Sequence, residues 1–506
     1  MCEIGLKVFM EMLGGKELAD YLSVKYGNGF GIINWGTPHL LLSDATTKLV
    51  QQTLPSLGKP AEETEYSSKR RRTFDLSIAQ TFVVLSSLIY ERNVDKVKEG
   101  YKTIAEMWDA DDDDELCDID GDGIDDSPQA LQAQKLLWES EELIRSIAGR
   151  WGLHFMGVTE MKSLGGPYCG IFWSETLPFI VIAFKGTTPT NYEEFLVDAT
   201  LQRTDASAFL YGCCHEGFYE SVFPTSGFGS DDLRDPFGAI LERVHEKARQ
   251  IQTQLNTTEP VQIWVTGHSL GAAMSSLLFA RFLKCPEDLP SDICTLRDCY
   301  VIGTPAVGNS EFASTFASYM NMPVTRNSML WRIINKSDLI CHVPPGYDSK
   351  TAGSYMSDMN FFNYSHVGHA IQITHPWHTK PLKMYPSSYM PTLQVNVVLG
   401  ACGTEIIDDE QQSNGYVGSS VSPPTESAKL PGWMEFIANQ SLVQQYVTPK
   451  LKQATINPIH VIEKFYPFFM KDHIPYYYFE GLQRARVYYV NELRKHQTTP
   501  RKTVRQ

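Results

Sequence analysis

The segment Val265-Thr266-Gly267-His268-Ser269-Leu270-Gly271-Ala272-Ala273-Met274 constrains this chain more than any other. A mostly apolar run, Val261 to Val265, leads into Gly-His-Ser-Leu-Gly, and small and apolar residues follow. That pattern predicts a strand, a sharp turn and a helix, with a serine at the apex. The turn is too tight for side chains at Gly267 and Gly271, and it pushes Ser269 out above a sheet. A serine there sits at a helix N-terminus, where unpaired backbone N–H groups can hold a developing oxyanion. The residues therefore point to a nucleophilic serine. Because Gly-x-Ser-x-Gly also arises by chance, the reading depends on the flanking strand and helix and on catalytic partners elsewhere.

At 506 residues the chain can bury a sizeable core, and its 42% apolar and 20% charged residues describe an ordinary globular protein. A net charge of −15 argues against nucleic acid as a partner and gives no general attraction to anionic membranes, although local basic patches can still act. No stretch approaches the roughly 18 apolar residues of a membrane-spanning helix. The opening Met1 to Lys7 lacks a basic segment followed by an apolar one, so no secretory signal is read there. The ten cysteines are scattered without metal-binding spacing and read as reduced thiols. A disulfide among Cys285, Cys294 and Cys299 stays open should the chain reach an oxidising compartment. These features suggest the cytoplasm, with peripheral contact to lipid droplets or membranes.

Along the chain, residues 1–72 read as an N-terminal extension ending in the basic run Lys69 to Arg72. Residues 73–400 read as an α/β core. Within it, Phe74 to Tyr90 has helical spacing, with Leu76, Ile78, Phe82, Val83 and Leu85 on the buried face, and Trp138 to Arg150 reads as a second helix. Cys169 to Trp173 and Pro178 to Phe184 read as buried strands. Alternating helices and strands up to about residue 400 predict a doubly wound, mostly parallel sheet. The acidic loop 109–127 contains an incomplete calcium-loop pattern at Asp118, Asp120, Asp122 and Asp126, with Gly123 at the bend and Gln129 where a bidentate glutamate belongs. An exposed acidic loop is the ordinary alternative. Residues 401–458 read as a partly disordered insertion, 459–493 as a folded, aromatic-rich C-terminal part of the core, and 494–506 as a basic tail.

A nucleophilic serine needs a histidine to take its proton, a carboxylate to orient that histidine, and donors for the oxyanion. In α/β hydrolases these follow in the order serine, acid, histidine. Trp331 to Ile334 reads as a strand, and Asp338 follows it on the rim where such sites form. Asp338 is the candidate acid.

These residues resemble the class 3 lipase family, serine lipases of α/β-hydrolase fold. Phe184-Lys185-Gly186-Thr187-Thr188 resembles the family's oxyanion segment, with lysine for the usual arginine. Tyr192 to Asp198 resembles the segment after it, with Phe195 where tryptophan is typical. His215-Glu216-Gly217-Phe218, Gly303 to Asn309, and Arg332 to Pro345 resemble three further blocks, so the likeness covers roughly residues 170 to 370. Lys471 to Tyr478 resembles the later block holding the catalytic histidine. The resemblance favours His473; His366, in Tyr364 to Gly368, is the leading alternative, followed by His369, His375 and His378. Choosing His473 makes residues from about 374 to 465 a large insertion relative to compact relatives. His268, beside the serine, is expected to point away from the triad and to pack, and His215 is expected to be structural.

The resemblance implies a Ser269–Asp338–His473 triad, an acyl-enzyme intermediate, and oxyanion donors at Leu270 and Thr187. This chemistry requires no metal or organic cofactor. The implied substrates are long-chain acyl esters, with tri- and diacylglycerol first, at a lipid–water interface beneath a lid near Thr188 to Asp198. A phospholipase A, a soluble esterase, an acyltransferase and a non-catalytic lipid-binding relative remain alternatives.

Overall fold

A computed structural model of the chain describes residues 38–60, 71–110, 127–161, 167–186, 202–224, 235–321, 328–342, 344, 363–386, 389, 394–403 and 472–498. Its strands are β1 (Arg71–Asp75), β2 (His154–Glu160), β3 (Tyr168–Trp173), β4 (Phe179–Phe184), β5 (Arg203–Asp205), β6 (Cys213–His215), β7 (Val261–His268), β8 (Cys294–Ile302), β9 (Leu330–Asn335), β10 (His369–Ile373), β11 (Leu382–Pro386) and β12 (Gln394–Val398). The helices used below are α1 (Asp44–Leu57), α2 (Leu76–Leu88), α3 (Pro128–Ser140), α4 (Glu142–Arg150), α5 (Leu270–Lys284) and α6 (Pro475–Thr498).

Eight strands form one sheet in the order β11-β10-β9-β8-β7-β4-β3-β2. β4, β7, β8, β9 and β10 run parallel, while β11 at one edge pairs antiparallel with β10 and, toward the other edge, β3 pairs antiparallel with both β4 and β2. Parallel strands need cover on both faces. Accordingly, every residue of β4, β7 and β9 is buried. Side chains alternate across a strand, so Trp264, Thr266 and His268 share one face of β7, and Ile263, Val265 and Gly267 the other.

Helix α2 covers the first face. Phe82 packs edge-on against Trp264 and Tyr300, and Ser86 Oγ lies 3.1 Å from Thr266 Oγ1. All thirteen residues of α2 are buried, which explains its near-uniform sequence without a polar stripe. Helix α5 covers the second face, where Ser275 Oγ donates to Thr266 O at 2.8 Å. This mostly parallel sheet, with helices on both faces and a strand–serine–helix turn at its centre, is the α/β-hydrolase architecture.

The C-terminal helix α6 packs on α2, β9 and β10. Arg486 fastens it there. Its fully buried guanidinium donates to Gln80 Oε1 at 3.0 Å and Ser77 Oγ at 2.7 Å on α2, and to Gly403 O at 3.4 Å.

Several sequence expectations change in detail. The helix expected from Phe74 begins only at Leu76, because Asp75 caps it by accepting from Ile78 N at 3.0 Å. Phe74 lies instead in β1, which pairs in parallel with β12 across more than 300 residues of chain. The segment Trp138 to Arg150 is split between α3 and α4 at Glu141. Part of the expected extension 1–72 is core: Leu49, Val50, Leu54 and Leu57 of α1 are buried in the main cluster. Most of the acidic loop, including Asp118, Asp120, Asp122 and Asp126, lies outside the described residues, as do Thr188 to Asp198 and 404–458. No helix among the described residues is long and apolar enough to cross a membrane, and the eight described cysteines, including Cys285, Cys294 and Cys299, are free thiols.

Glu91 closes the turn that follows α2. It is buried, and neither carboxyl oxygen has a hydrogen-bond partner among the described residues. Burial pushes its pKa from the ordinary 4.5 up to about 8. The folded chain therefore keeps a proton that the unfolded chain releases above pH 4.5, so stability is greatest below that pH and declines as pH rises toward 8. The Glu91→Gln variant should lack this decline. In urea titrations its stability relative to the parent should grow by about 2.5 kcal/mol between pH 5 and 7. A pH-independent difference would show that Glu91 is ionised in the fold.

Candidate active site

The site is built where β7 ends. Ser269 has φ 59° and ψ −128°, a left-handed backbone that a non-glycine residue adopts only when its surroundings enforce it. The surroundings are backbone on both sides. A Cβ at Gly267 would lie 2.4 Å from Gly271 O, and one at Gly271 would lie 2.2 Å from Phe184 O. Ser269 N donates to Ile302 O at 3.0 Å, which ties the apex to β8. Leu270 is the first residue of α5, so its N–H is one of the helix's unpaired donors beside the serine. Thr187 lies outside the described residues. Its neighbour Gly186 rests against the same turn, where an added Cβ would come 3.0 Å from Gly271 N. Lys185, in the position of the resembling family's arginine, is buried with its ammonium 5.6 Å from the centroid of the Tyr90 ring.

Asp338 and His473 meet in the interior. Their side chains are 0% and 2% exposed, and His473 Nδ1 donates to Asp338 Oδ2 at 2.8 Å. A carboxylate can only accept, so Nδ1 carries the ring proton and Nε2 is left as the basic nitrogen. The same Asp338 oxygen accepts a hydrogen bond from Tyr478 OH and lies 3.6 Å from Cys341 Sγ, while Oδ1 accepts from Ile340 N at 2.9 Å. Burial, and then the adjacent Asp338 charge, hold the Tyr478 phenol and Cys341 thiol well above their ordinary pKa values, so both stay protonated donors.

Asp472 joins the two loops. Its carboxylate accepts from Ser337 N at 3.2 Å and pairs with Lys336 Nζ at 3.3 Å, and its carbonyl accepts from Asn335 Nδ2 at 2.9 Å. The turn before Asp338 and the residue before His473 are thereby clamped. Gly303, with φ 63°, passes under the pair; a Cβ there would lie 2.9 Å from His473 Cε1 and 3.1 Å from Asp338 Oδ2.

His268 does not point away from this group, as its sequence position suggested. Its ring centroid lies 4.5 Å from that of His473, and its Nε2 is 2.8 Å from His473 O. The carbonyl can only accept, so Nε2 holds the proton and Nδ1 accepts from Tyr90 OH at 3.1 Å. Burial and the neighbouring His473 hold its pKa well below the ordinary imidazole value, so His268 is a neutral strut between the serine strand and the histidine loop. Tyr90 OH also accepts from Gly186 N at 3.2 Å, linking that strut to the end of β4.

The other histidines lie elsewhere. His366 borders a cavity of about 210 Å³ shared with Arg332, Cys341 and His342. Burial, then Arg332 and His342, hold its pKa well below the ordinary value, and its backbone partner is Cys341. His369 is buried in β10, with its pKa pushed down to about 4 by burial and Arg332. His375 Nε2 lies 3.0 Å from Ser337 Oγ, and His378 is exposed. His215 is fully buried and stacks on Phe218 with centroids 3.8 Å apart. Among the described residues, His473 is the histidine paired with Asp338.

Tyr90, His268 and Tyr478 are the supporting residues that the sequence did not expose. Tyr478 had a faint signal, being one of three consecutive tyrosines soon after His473. Tyr90 had none, because its partner His268 lies 178 residues away. No group of three metal-binding side chains occurs among the described residues.

Tyr478→Phe should cost about 1–3 kcal/mol in urea unfolding, the penalty for removing a donor from a buried carboxylate. An unchanged midpoint and slope would show that Asp338 does not depend on this hydroxyl.

Residues 181–347 match the family model for lipase (class 3). Phospholipase A1-IIgamma of Arabidopsis thaliana is 26% identical over 245 residues, covering 46% of this chain and 51% of that protein. Phospholipase A1-IIbeta of Arabidopsis thaliana is 30% identical over 131 residues, covering 25% and 28%. The chain thus spans about half or less of the length of these curated relatives. Among solved structures, the lipase from Rhizopus microsporus var. chinensis is 21% identical, with a TM-score of 0.32 over 49% of this chain and 69% of that one. The fold assignment rests on the strand order rather than on this likeness. The segment from β4 through the Asp338 loop is thus similar to the class 3 lipase family.

Proposed function

We propose that the chain is a serine hydrolase of lipid carboxylic esters, acting on acylglycerols through Ser269, His473 and Asp338. The observation that carries this reading is the buried Asp338–His473 hydrogen bond, with the imidazole packed against the residue before the strained serine. In this mechanism His473 Nε2 takes the proton of Ser269 Oγ as the oxygen attacks the ester carbonyl. Asp338 stabilises the resulting imidazolium. The tetrahedral oxyanion is held by the Leu270 N–H and, in this reading, by Thr187. Its collapse breaks the ester C–O bond, and the alcohol leaves with the proton from His473. Water then attacks the acyl-enzyme, giving up its proton to His473; collapse breaks the bond between the acyl carbon and Ser269 Oγ, His473 returns the proton to Oγ, and the fatty acid leaves.

Phospholipid is the second reading, favoured by the names of the curated relatives, both phospholipases A1. The two readings share every catalytic step and differ in the leaving alcohol.

Fatty-acid release from emulsified diacylglycerol and triacylglycerol, and from phosphatidylcholine, separates them. The expected result is faster release from the acylglycerols. Ser269→Ala and His473→Ala should each lower that rate by about 10⁴-fold or more, with circular dichroism unchanged. His366→Ala should stay within about threefold of the parent, a difference of under 1 kcal/mol in barrier. Loss of activity in His366→Ala with retention in His473→Ala would reverse the assignment of the base.

A further inference from the structure

The turn between β10 and β11 carries a feature that the triad does not use. β10 runs parallel to β9, with Ile373 beside Asn335, so the 374–381 turn projects from the same carboxyl end of the sheet as Ser269 and Asp338. Trp377, at its tip, is 74% exposed, the most exposed large apolar side chain among the described residues. It is held in place rather than splayed. Its ring stacks on His375 at a centroid distance of 4.1 Å and an interplanar angle of 8°, and His375 is tied to Ser337 at 3.0 Å.

The turn itself is closed by Thr374 N to Pro381 O at 2.8 Å, Thr374 Oγ1 to Lys380 O at 2.7 Å and His378 N to His375 O at 3.0 Å. Arg484 of α6 donates to Thr374 O from behind. A large aromatic side chain is thus fixed in water by its neighbours, against the hydrophobic preference of the indole.

The charge around it is the second observation. The chain carries −15 overall, yet this rim is basic. Lys380 and Lys383 are exposed on the hairpin, and the field at His375 includes Lys336, His378 and Arg484. The acidic groups nearby are Asp472, which is buried and paired with Lys336, and Glu480, which faces Arg484. An indole flanked by lysines is the composition that sits at a membrane–water boundary, with the ring at headgroup depth and the ammonium groups toward lipid phosphates. The turn lies three to four strands from β7, about 14–19 Å across the sheet, close enough to share one lipid surface with the serine.

We propose that the 374–381 hairpin is an interfacial anchor. Trp377 enters the headgroup boundary of an anionic phospholipid surface, Lys380 and Lys383 engage its phosphates, and the carboxyl end of the sheet is thereby set facing the lipid. The proposal rests on the lipid-ester reading and supplies the part of the chain that meets the substrate phase.

The full-length Ser269→Ala protein, which performs no chemistry, should bind vesicles of phosphatidylcholine doped with phosphatidylserine in a flotation assay. Adding Trp377→Ala should weaken that binding about tenfold, as loss of a buried aromatic ring requires. Adding Lys380→Glu and Lys383→Glu should weaken it by a similar factor on the doped vesicles and leave binding to pure phosphatidylcholine unchanged. Brominated lipid should quench emission from the Ser269→Ala protein more than from its Trp377→Phe derivative, a readout independent of any folding defect. Equal binding and equal quenching in the Trp377 variants would overturn the proposal. So would no binding of the Ser269→Ala protein to either vesicle, which would leave the hairpin to a protein partner. Failure of the lipid-ester reading is separate and shows as no Ser269-dependent turnover of any ester, soluble or emulsified.

Discussion

A carboxylate with no solvent exposure persists in a protein core only when donors surround it. Asp338 has the His473 imidazole, the Tyr478 hydroxyl, the Cys341 thiol and the Ile340 amide around it. Each of these comes from a segment that must be held at the carboxyl end of the sheet. His473 and Tyr478 arrive from the far C-terminus, which is why Arg486 binds α6 to α2 and why Asp472 clamps its own loop to the end of β9. The candidate site is thus the point at which the chain's last described helix is fitted to the sheet.

Two neighbouring histidines are given opposite tasks by their partners. His473 faces a carboxylate, which holds the Nδ1–H and leaves Nε2 as the accepting nitrogen. His268 faces a carbonyl and a phenol, and burial beside His473 keeps it neutral. Two charged rings at 4.5 Å would repel each other. A neutral His268 avoids this while supporting the His473 backbone.

The centre of the fold was readable because its signals are local. The strand, the two glycines and the small-residue helix around Ser269 are contiguous, and Asp338 follows a strand at once. His473 was reachable through its resemblance and its place in the chain order, and its Nδ1 donates a hydrogen bond to Asp338. What stayed hidden depends on distant chain. Nothing near Tyr90 announces a hydrogen bond to His268. β1 pairs with β12 across more than 300 residues of chain, and its own Arg71-Arg72-Thr73-Phe74-Asp75 carries no strand signal, so Phe74 was read into the helix that begins two residues later. Helix α1 looked like part of an extension because its apolar residues, Leu49, Val50, Leu54 and Leu57, gain meaning only once helix α2 and the 400–402 turn, against which α1 packs, are known.

The account stands or falls on whether Ser269 is activated by His473. A fluorophosphonate probe, followed by peptide mapping, tests this without a choice of lipid substrate. The account predicts a covalent adduct on Ser269 that forms at the parent rate in His366→Ala and is lost in His473→Ala. No adduct on Ser269, or labelling of His473→Ala at the parent rate, would contradict it.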